Sequence, residues 1–303
     1  MSGSQTSGEN AADKKAYASV FRPGLFADCT VIVTGGGSGI GRCIAHELAS
    51  LGARVVITGR TQDKLDTVAA EIAHDEGVCE TRSSDIRAEH AVASAVAEIA
   101  ASGPIHALVN NAGGQFPAEI ADISKKGWEA VVANNLTGGF VVAREVFKAS
   151  MKEAGGAIVN IVADMWNGMP GMAHSGAARA GMVNFTKTAA FEWAKHGVRV
   201  NAVAPGWVAS SGMDTYGGAV RAMIPHLKQH LPAKRLGSEA EVSSAVVFLL
   251  SEGAAFITGA TLPVDGGAPL GSAIWPLEDH HNMPVYNGFH RAVDPAVLRG
   301  EAG

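Results

Sequence analysis

The stretch Thr34-Gly35-Gly36-Gly37-Ser38-Gly39-Ile40-Gly41 lies between the apolar run Thr30-Val31-Ile32-Val33 and a helical pattern that opens at Gly39. A strand that turns abruptly into a helix leaves the first N–H groups of that helix without intrahelical partners, and the helix dipole makes the same end positive. Glycine at 35 and 39 allows a tight turn and a close backbone approach to an anion, while Gly41 lets helix and strand pack closely. Placed between strand and helix, the turn reads as a cradle for the pyrophosphate of a dinucleotide, with Gly35, Ser38, Gly39 and Ile40 as candidate contacts.

Outward from the turn, β-branched runs alternate with helical patterns. Arg54-Val55-Val56-Ile57-Thr58 precedes a helix from Gln62; further runs stand at Ala107 to Asn110, Ala157 to Ile161, Val198 to Val203 and Thr261 to Val264, the last after a helix from about Glu239 to Ser251. This alternation predicts an α/β fold: a Rossmann-type doubly wound parallel sheet with helices on both faces, formed as a single domain over residues 20–271. Unbroken apolar strands fit burial from both sides. The second strand ends in Gly59-Arg60, about 20 residues past the turn, where NAD enzymes offer a carboxylate to the ribose hydroxyls and NADP enzymes offer an arginine. Arg60 therefore predicts NADP in preference to NAD. Asp85, beyond the third strand, is placed to contact the adenine or to cap a helix.

Composition narrows the class. The 303 residues are 47% apolar and 17% charged, with a formal net charge of −5, which allows a large core and has the wrong sign for gathering nucleic-acid phosphates. No apolar run reaches membrane-spanning length. Cys29, Cys43 and Cys79 form no C-x-x-C pair, as expected for reduced thiols of a cytoplasmic protein. Residues 1–19, small and polar, are expected to be disordered. Residues 272–303, rich in Pro, His, Asp and Asn, are expected to form an extended arm packed on the domain or on a neighbouring subunit. Asp279, His280 and His281 in that arm lack a closed ligand set, so no metal is expected.

Further segments complete a pattern: Asn110-Asn111-Ala112-Gly113, Asn135, Pro205-Gly206 and Asp265-Gly266-Gly267. With the glycine turn, in this order and spacing, they resemble the short-chain dehydrogenase/reductase superfamily over roughly Phe21 to Gly271. The resemblance implies that Asn111, Ala112 and Gly113 support the sheet beside the cofactor and that Asn135 holds a water in the active site. It also implies that Pro205, Gly206 and Val208 contact the nicotinamide amide, and that the protein is a homotetramer.

The serine and the Tyr-x-x-x-Lys pair usual in that family are missing. The tyrosines are Tyr17, Tyr216 and Tyr286, and the aligned segment reads His174-Ser175-Gly176-Ala177-Ala178-Arg179-Ala180-Gly181, with Ser175 at the tyrosine position and Arg179 at the lysine position. Together with Gly114-Gln115-Phe116, Lys126-Gly127-Trp128, Pro232-Ala233-Lys234-Arg235 and Phe256-Ile257-Thr258-Gly259, the segment resembles trans-2-enoyl-CoA reductases of the peroxisomal type and, more distantly, 2,4-dienoyl-CoA reductases.

Reduction of a double bond conjugated to a thioester sends hydride to the β-carbon, charge to the thioester oxygen and a proton to the α-carbon. No group needs to hold an alcohol proton. Ser175 is expected to donate to the thioester oxygen, and Arg179, one helical turn on, to add permanent positive charge and bond the cofactor ribose. Asp164, at the C-terminal end of a strand, either orients Arg179 or caps a turn. Tyr216 lies where the family carries its substrate lid and either delivers the α-proton on closure or packs the lid; His174 is a reserve donor. The leading expectation is hydride transfer from NADPH to a 2-enoyl-CoA or related acyl thioester. Its rivals are dehydrogenation of an alcohol or aldehyde on a branched or terpenoid chain, and a dinucleotide-binding sensor without turnover.

Overall fold

Strands β1 (Thr30–Thr34), β2 (Arg54–Gly59), β3 (Val78–Ser83), β4 (Ala107–Asn110), β5 (Gly156–Ile161), β6 (Val198–Pro205) and β9 (Thr261–Val264) pair in parallel in the order β3-β2-β1-β4-β5-β6-β9. A separate two-stranded ladder joins β7 (Val208–Ala209) to β8 (Gly237–Ser238). The computed structural model describes residues 16–271 and 276–300. Its helices are α1 (Gly39–Ser50), α2 (Gln62–His74), α3 (Glu89–Ala100), α4 (Lys125–Val132), α5 (Gly138–Val146), α6 (Lys152–Ala154), α7 (Ala173–Trp193), α8 (Gly218–Met223), α9 (Glu239–Leu250) and α10 (Ala296–Arg299). The fold is the Rossmann-type sheet that the sequence predicts.

Side chains alternate across a strand, so each strand feeds two cores. Val31, Val33 and Ile57 point to one face and pack under α1, α2 and α9 with Ile44, Leu65 and Val246. Ile32, Val56 and Leu108 point to the other and pack under α3, α5 and α7 with Val96, Val142 and Ala189. Between α4 and α5 the helix widens into a π-turn over Ala133–Thr137, which carries Asn135; such insertions mark functional sites and leave no periodicity to read.

The N-terminal end corrects the expected boundary. Of the segment 1–19, residues 1–15 lie outside the described residues, but Tyr17 and Ser19 belong to the folded domain. The Tyr17 hydroxyl donates to Glu47 at 3.2 Å, as do Ser19 Oγ at 2.7 Å and Ser243 Oγ at 2.5 Å. Glu47 is fully buried on α1, and burial pushes its carboxyl pKa up. A buried carboxylate must be hydrogen-bonded, so these hydroxyls have a partner that local composition does not reveal.

The arm packs on its own chain. Phe289, 2% exposed, stacks on Tyr17 with ring centroids 5.8 Å apart, Arg291 bonds Asp75 of the α2 C-cap at 2.6 Å, and Arg235 bonds the Met283 and Pro284 carbonyls at 2.8 and 3.0 Å. His280 Nε2 bonds the Pro232 carbonyl at 2.9 Å. Among the described residues no group of His, Cys, Asp and Glu side chains converges as a metal site. Residues 272–275 and 301–303 lie outside the described residues.

Candidate active site

The strand order reverses between β1 and β4, and at the C-terminal ends of these strands, where ligands enter such sheets, a cleft of about 920 Å³ opens. Gly35 and Gly39 adopt φ of +67° and +56°, conformations that favour glycine. A Cβ on Gly35 would stand 3.0 Å from the Ala112 Cα and from Asn111 Nδ2. The turn is tied to the next strand through Thr34: its Oγ1 accepts the N–H groups of Asn111 and Ala112, each at 3.0 Å, and Asn111 Nδ2 donates to the Thr34 carbonyl at 3.0 Å. Ser38, the α1 N-cap, makes no side-chain capping bond, so the first N–H groups of the helix remain available to an anion. Gly35, Ser38, Gly39 and Ile40 all line the cleft. This cradle fits a dinucleotide pyrophosphate.

At the adenosine end, Arg60 is exposed at the rim, and Lys64, one turn into α2, also lines the cleft. Lys64 escaped sequence reading because no pattern marks a helical lysine as facing a ligand. Asp85 lines the cleft but caps no helix, since α3 has Ala88 as its N-cap. Its carboxylate is gripped by Arg87 at 2.5 Å; that grip brings its pKa down to about 2.

Behind the cradle, Glu239 Oε1 and Ser211 Oγ each lie 3.8 Å from where a Gly39 Cβ would stand. Burial raises the Glu239 pKa to about 7, against the pull of Arg42. Ionised Glu239 repels a phosphate on the turn, and neutral Glu239 does not. A bound dinucleotide would therefore raise this pKa further and take up a proton, so affinity is lost as pH rises through about 7. The expected loss of dinucleotide affinity is about fivefold between pH 6 and 8, from a repulsion on the order of 1 kcal/mol, and Glu239→Gln removes it. Fluorescence titrations with the reduced nicotinamide dinucleotides across that range check this; equal slopes for both proteins reject it.

At the opposite end, a buried amide ladder runs from Asn110 through Asn160 to Thr186 at 3.0 and 2.9 Å, fixing α7 against β4 and β5. Helix α7 brings Arg179 into the cleft wall. The guanidinium donates Nη1 to the Ile161 carbonyl at 2.7 Å, and among the described residues its Nε has no hydrogen-bond partner and it forms no salt bridge. Desolvation lowers its pKa to about 10. Asp164 does not pair with it: the Asp164 N–H donates to the Pro205 carbonyl at 3.0 Å, and burial followed by the nearby Asp265 raises its carboxyl pKa. A Cβ on Gly113 would meet Arg179 Nη2 at 2.8 Å and Asn135 Oδ1 at 2.7 Å, so the bare backbone there admits both groups.

Ser175 stands elsewhere than expected. It is fully buried and does not line the cleft. Its Oγ donates to Gln115 Oε1 at 2.5 Å, and Gln115 Nε2 donates to the Tyr216 hydroxyl at 2.9 Å. Gln115 and Tyr216 both line the cleft. The proton of Ser175 is thus committed to Gln115, and Tyr216, which accepts from Gln115, has its own O–H to give. Asn135 also lies behind the wall, exchanging bonds with the Gly114 N–H and carbonyl at 2.9 Å each. His174 is buried edge-on to Phe116, ring centroids 4.5 Å apart. Pro205, Gly206 and Val208 line the cleft above β6, and the Gly206 N–H donates to the Val264 carbonyl at 3.0 Å.

The family profile described as Enoyl-(Acyl carrier protein) reductase matches residues 35–269. The peroxisomal 2,4-dienoyl-CoA reductase [(3E)-enoyl-CoA-producing] of Danio rerio is 34% identical over 262 residues, covering 85% of this chain and 87% of that protein. Among solved structures, the citronellol catabolism dehydrogenase AtuB of Pseudomonas aeruginosa PAO1 is 59% identical with a TM-score of 0.76, covering 84% of this chain and all of that one. An actinorhodin polyketide ketoreductase solved with NADPH is 31% identical with a TM-score of 0.74, covering 82% and 99%. By its parallel sheet, its glycine cradle and this match, the chain belongs to the short-chain dehydrogenase/reductase superfamily and is an oxidoreductase.

Proposed function

We propose that the protein reduces the carbon–carbon double bond of a 2-enoyl-CoA or related acyl thioester with NADPH. One observation carries this reading: the position usually held by the lysine of the Tyr-x-x-x-Lys pair holds Arg179, a cation in the wall of the cleft that has no carboxylate partner among the described residues. Guanidinium does not deprotonate at working pH, so it cannot pass an alcohol proton, but it stabilises an anion well. Bound NADPH supplies the hydride to the β-carbon. Arg179 stabilises the enolate charge that then falls on the thioester oxygen, Gln115 orients Tyr216, and the Tyr216 hydroxyl gives its proton to the α-carbon. One hydride and one proton convert the alkene to the saturated thioester, and solvent restores the tyrosine proton.

The test is loss of NADPH absorbance with crotonyl-CoA and longer 2-enoyl-CoA substrates. Tight NADPH binding without turnover of any of them rejects the reading. Ser175→Ala, which unseats Gln115, is expected to lower kcat about fivefold, the worth of one hydrogen bond, with NADPH affinity unchanged. Arg60→Ala is expected to weaken NADPH about 10- to 100-fold relative to NADH, by loss of a charge-assisted contact to the 2′-phosphate; paired titrations with both cofactors measure it.

A second reading has its own support. The 59% identity to a citronellol catabolism dehydrogenase favours NADP-linked oxidation of an alcohol on a branched, terpenoid chain, and Met169, Met172 and Met223 line the cleft with the flexible apolar surface such a chain suits. Tyr216 is then the proton carrier. Oxidation of citronellol with NADP, absent any 2-enoyl-CoA reduction, establishes it. In either case we read the protein as a cytoplasmic homotetramer, with the exposed rings of Phe191 and Phe256 available to subunit contacts.

A further inference from the structure

The segment that carries Tyr216 has a small core of its own. Met213, Ile224 and Leu227, at 3%, 1% and 7% exposure, are closed off by Val297 at 9%, with Trp207 and Leu298 packed at the edge. Val297 and Leu298 belong to α10, at the far end of the C-terminal arm, more than 80 residues along the chain. The same helix is fixed to the turn Ser211–Thr215 by charge: Asp214 accepts the N–H of Ala296 on Oδ2 and that of Val297 on Oδ1, each at 3.0 Å. Tyr216 follows directly, with its N–H donating to the Met213 carbonyl at 3.3 Å. Its ring packs against the shared core while its hydroxyl receives Gln115.

We infer that the end of the C-terminal arm is a positioning element for Tyr216, with Asp214 and Val297 as its positioning residues. The physical argument is one of support. Residues 210–218 contain two serines, three glycines and no large apolar residue besides Met213 and Tyr216, too little to order themselves. Docking α10 supplies the apolar wall and the two N–H donors that fix Met213 and Asp214, and those residues flank the backbone that aims Tyr216. The arm is in turn fastened along its length by Arg235 on the Met283 and Pro284 carbonyls and by Arg291 on Asp75. None of these contacts is made by Gly35, Ser38 or Gly39, although Ser211 of the same turn stands beside Gly39, so the arm acts on tyrosine placement directly and on the cofactor cradle only through that neighbour. The assignment of a proton-delivery role to Tyr216 rests on the proposed function; the placement of its ring by the arm does not.

The test uses the full-length chain with Asp214→Ala, Val297→Asp and the milder Asp214→Asn, which keeps one acceptor oxygen. Two readouts need no turnover: amide hydrogen exchange over residues 207–231, and nitration of Tyr216 by tetranitromethane located by mass spectrometry. Both are expected to rise about fivefold or more in the first two variants, as for loss of a capping carboxylate or a buried apolar contact, and less in Asp214→Asn, with exchange over β1 unchanged and the NADPH dissociation constant raised by less than about twofold. With whichever substrate the protein turns over, Asp214→Ala is expected to lower kcat more than it raises KM, and to have no further effect in a Tyr216→Phe background. Unchanged exchange and nitration overturn the inference, as does an equal loss of kcat in both backgrounds. Absence of 2-enoyl-CoA turnover in the unmodified protein rejects the proposed reaction alone, because the exchange and nitration results still decide whether the arm holds the tyrosine.

Discussion

Arg179→Met is expected to lower kcat at saturating NADPH by about 100- to 1000-fold, the typical effect of removing one aimed donor from a developing oxyanion, while leaving the thermal midpoint unchanged or raised. The two halves of this expectation follow from one geometry. A desolvated guanidinium with a single backbone acceptor at 2.7 Å and an orphaned Nε costs the folded state more than an apolar side chain of similar length, because buried charge without a counter-charge recovers little of its hydration. Its pKa, lowered by desolvation to about 10, reports the same cost. That sacrifice is explained if an anion arrives during turnover. Arg179 retained only for packing would behave in the opposite way, with Arg179→Met losing stability and activity in parallel. Thermal unfolding and steady-state kinetics on the same preparation separate the two.

The sheet and the cradle were legible in the sequence because each rests on local grammar. The period-two burial of Val31 and Val33 against Ile32, the glycines at 35 and 39, and Thr34 at a strand end are consequences of residues within a few positions of one another. The site beyond the cradle was legible only as far as the resemblance reached. Ser175 and Arg179 share a helix, yet only Arg179 faces the cleft, and Ser175 instead holds Gln115, delivered from the loop after β4. Gln115 was visible as part of a motif, but its role depends on Tyr216, 101 positions away, and no periodicity links the two. The expected N-terminal boundary failed for a related reason. Tyr17 and Ser19 read as a polar tail until Glu47 and Phe289, distant in sequence, give their hydroxyls and ring a buried place. Composition measures what a segment is able to bury by itself, whereas these segments are ordered by what the rest of the chain offers them.

Gly41→Ala is expected to destabilise the fold by about 2–4 kcal/mol and to abolish measurable NADPH binding. The backbone of Gly41 is ordinary helix, unlike that of Gly35 and Gly39, and an alanine there would gain about 1 kcal/mol of helix propensity. Sterics decide the sign. A Cβ on Gly41 overlaps both Asn111 Nδ2 and the Gly35 carbonyl oxygen, and the second of these is backbone, which cannot rotate away. Overpacking of this kind costs about 1–3 kcal/mol. Displacing the Asn111 amide further removes its bonds to the Thr34 and Gly35 carbonyls at 3.0 and 3.3 Å, about 1 kcal/mol each, so loss outweighs the propensity gain. The same displacement lifts α1 from the turn and spreads the N–H groups that the cradle aims at a pyrophosphate, which is why affinity falls with stability. Chemical unfolding and an NADPH titration on Gly41→Ala measure both effects, and an alanine variant as stable as the parent with intact NADPH binding contradicts the close packing of α1 on the glycine turn.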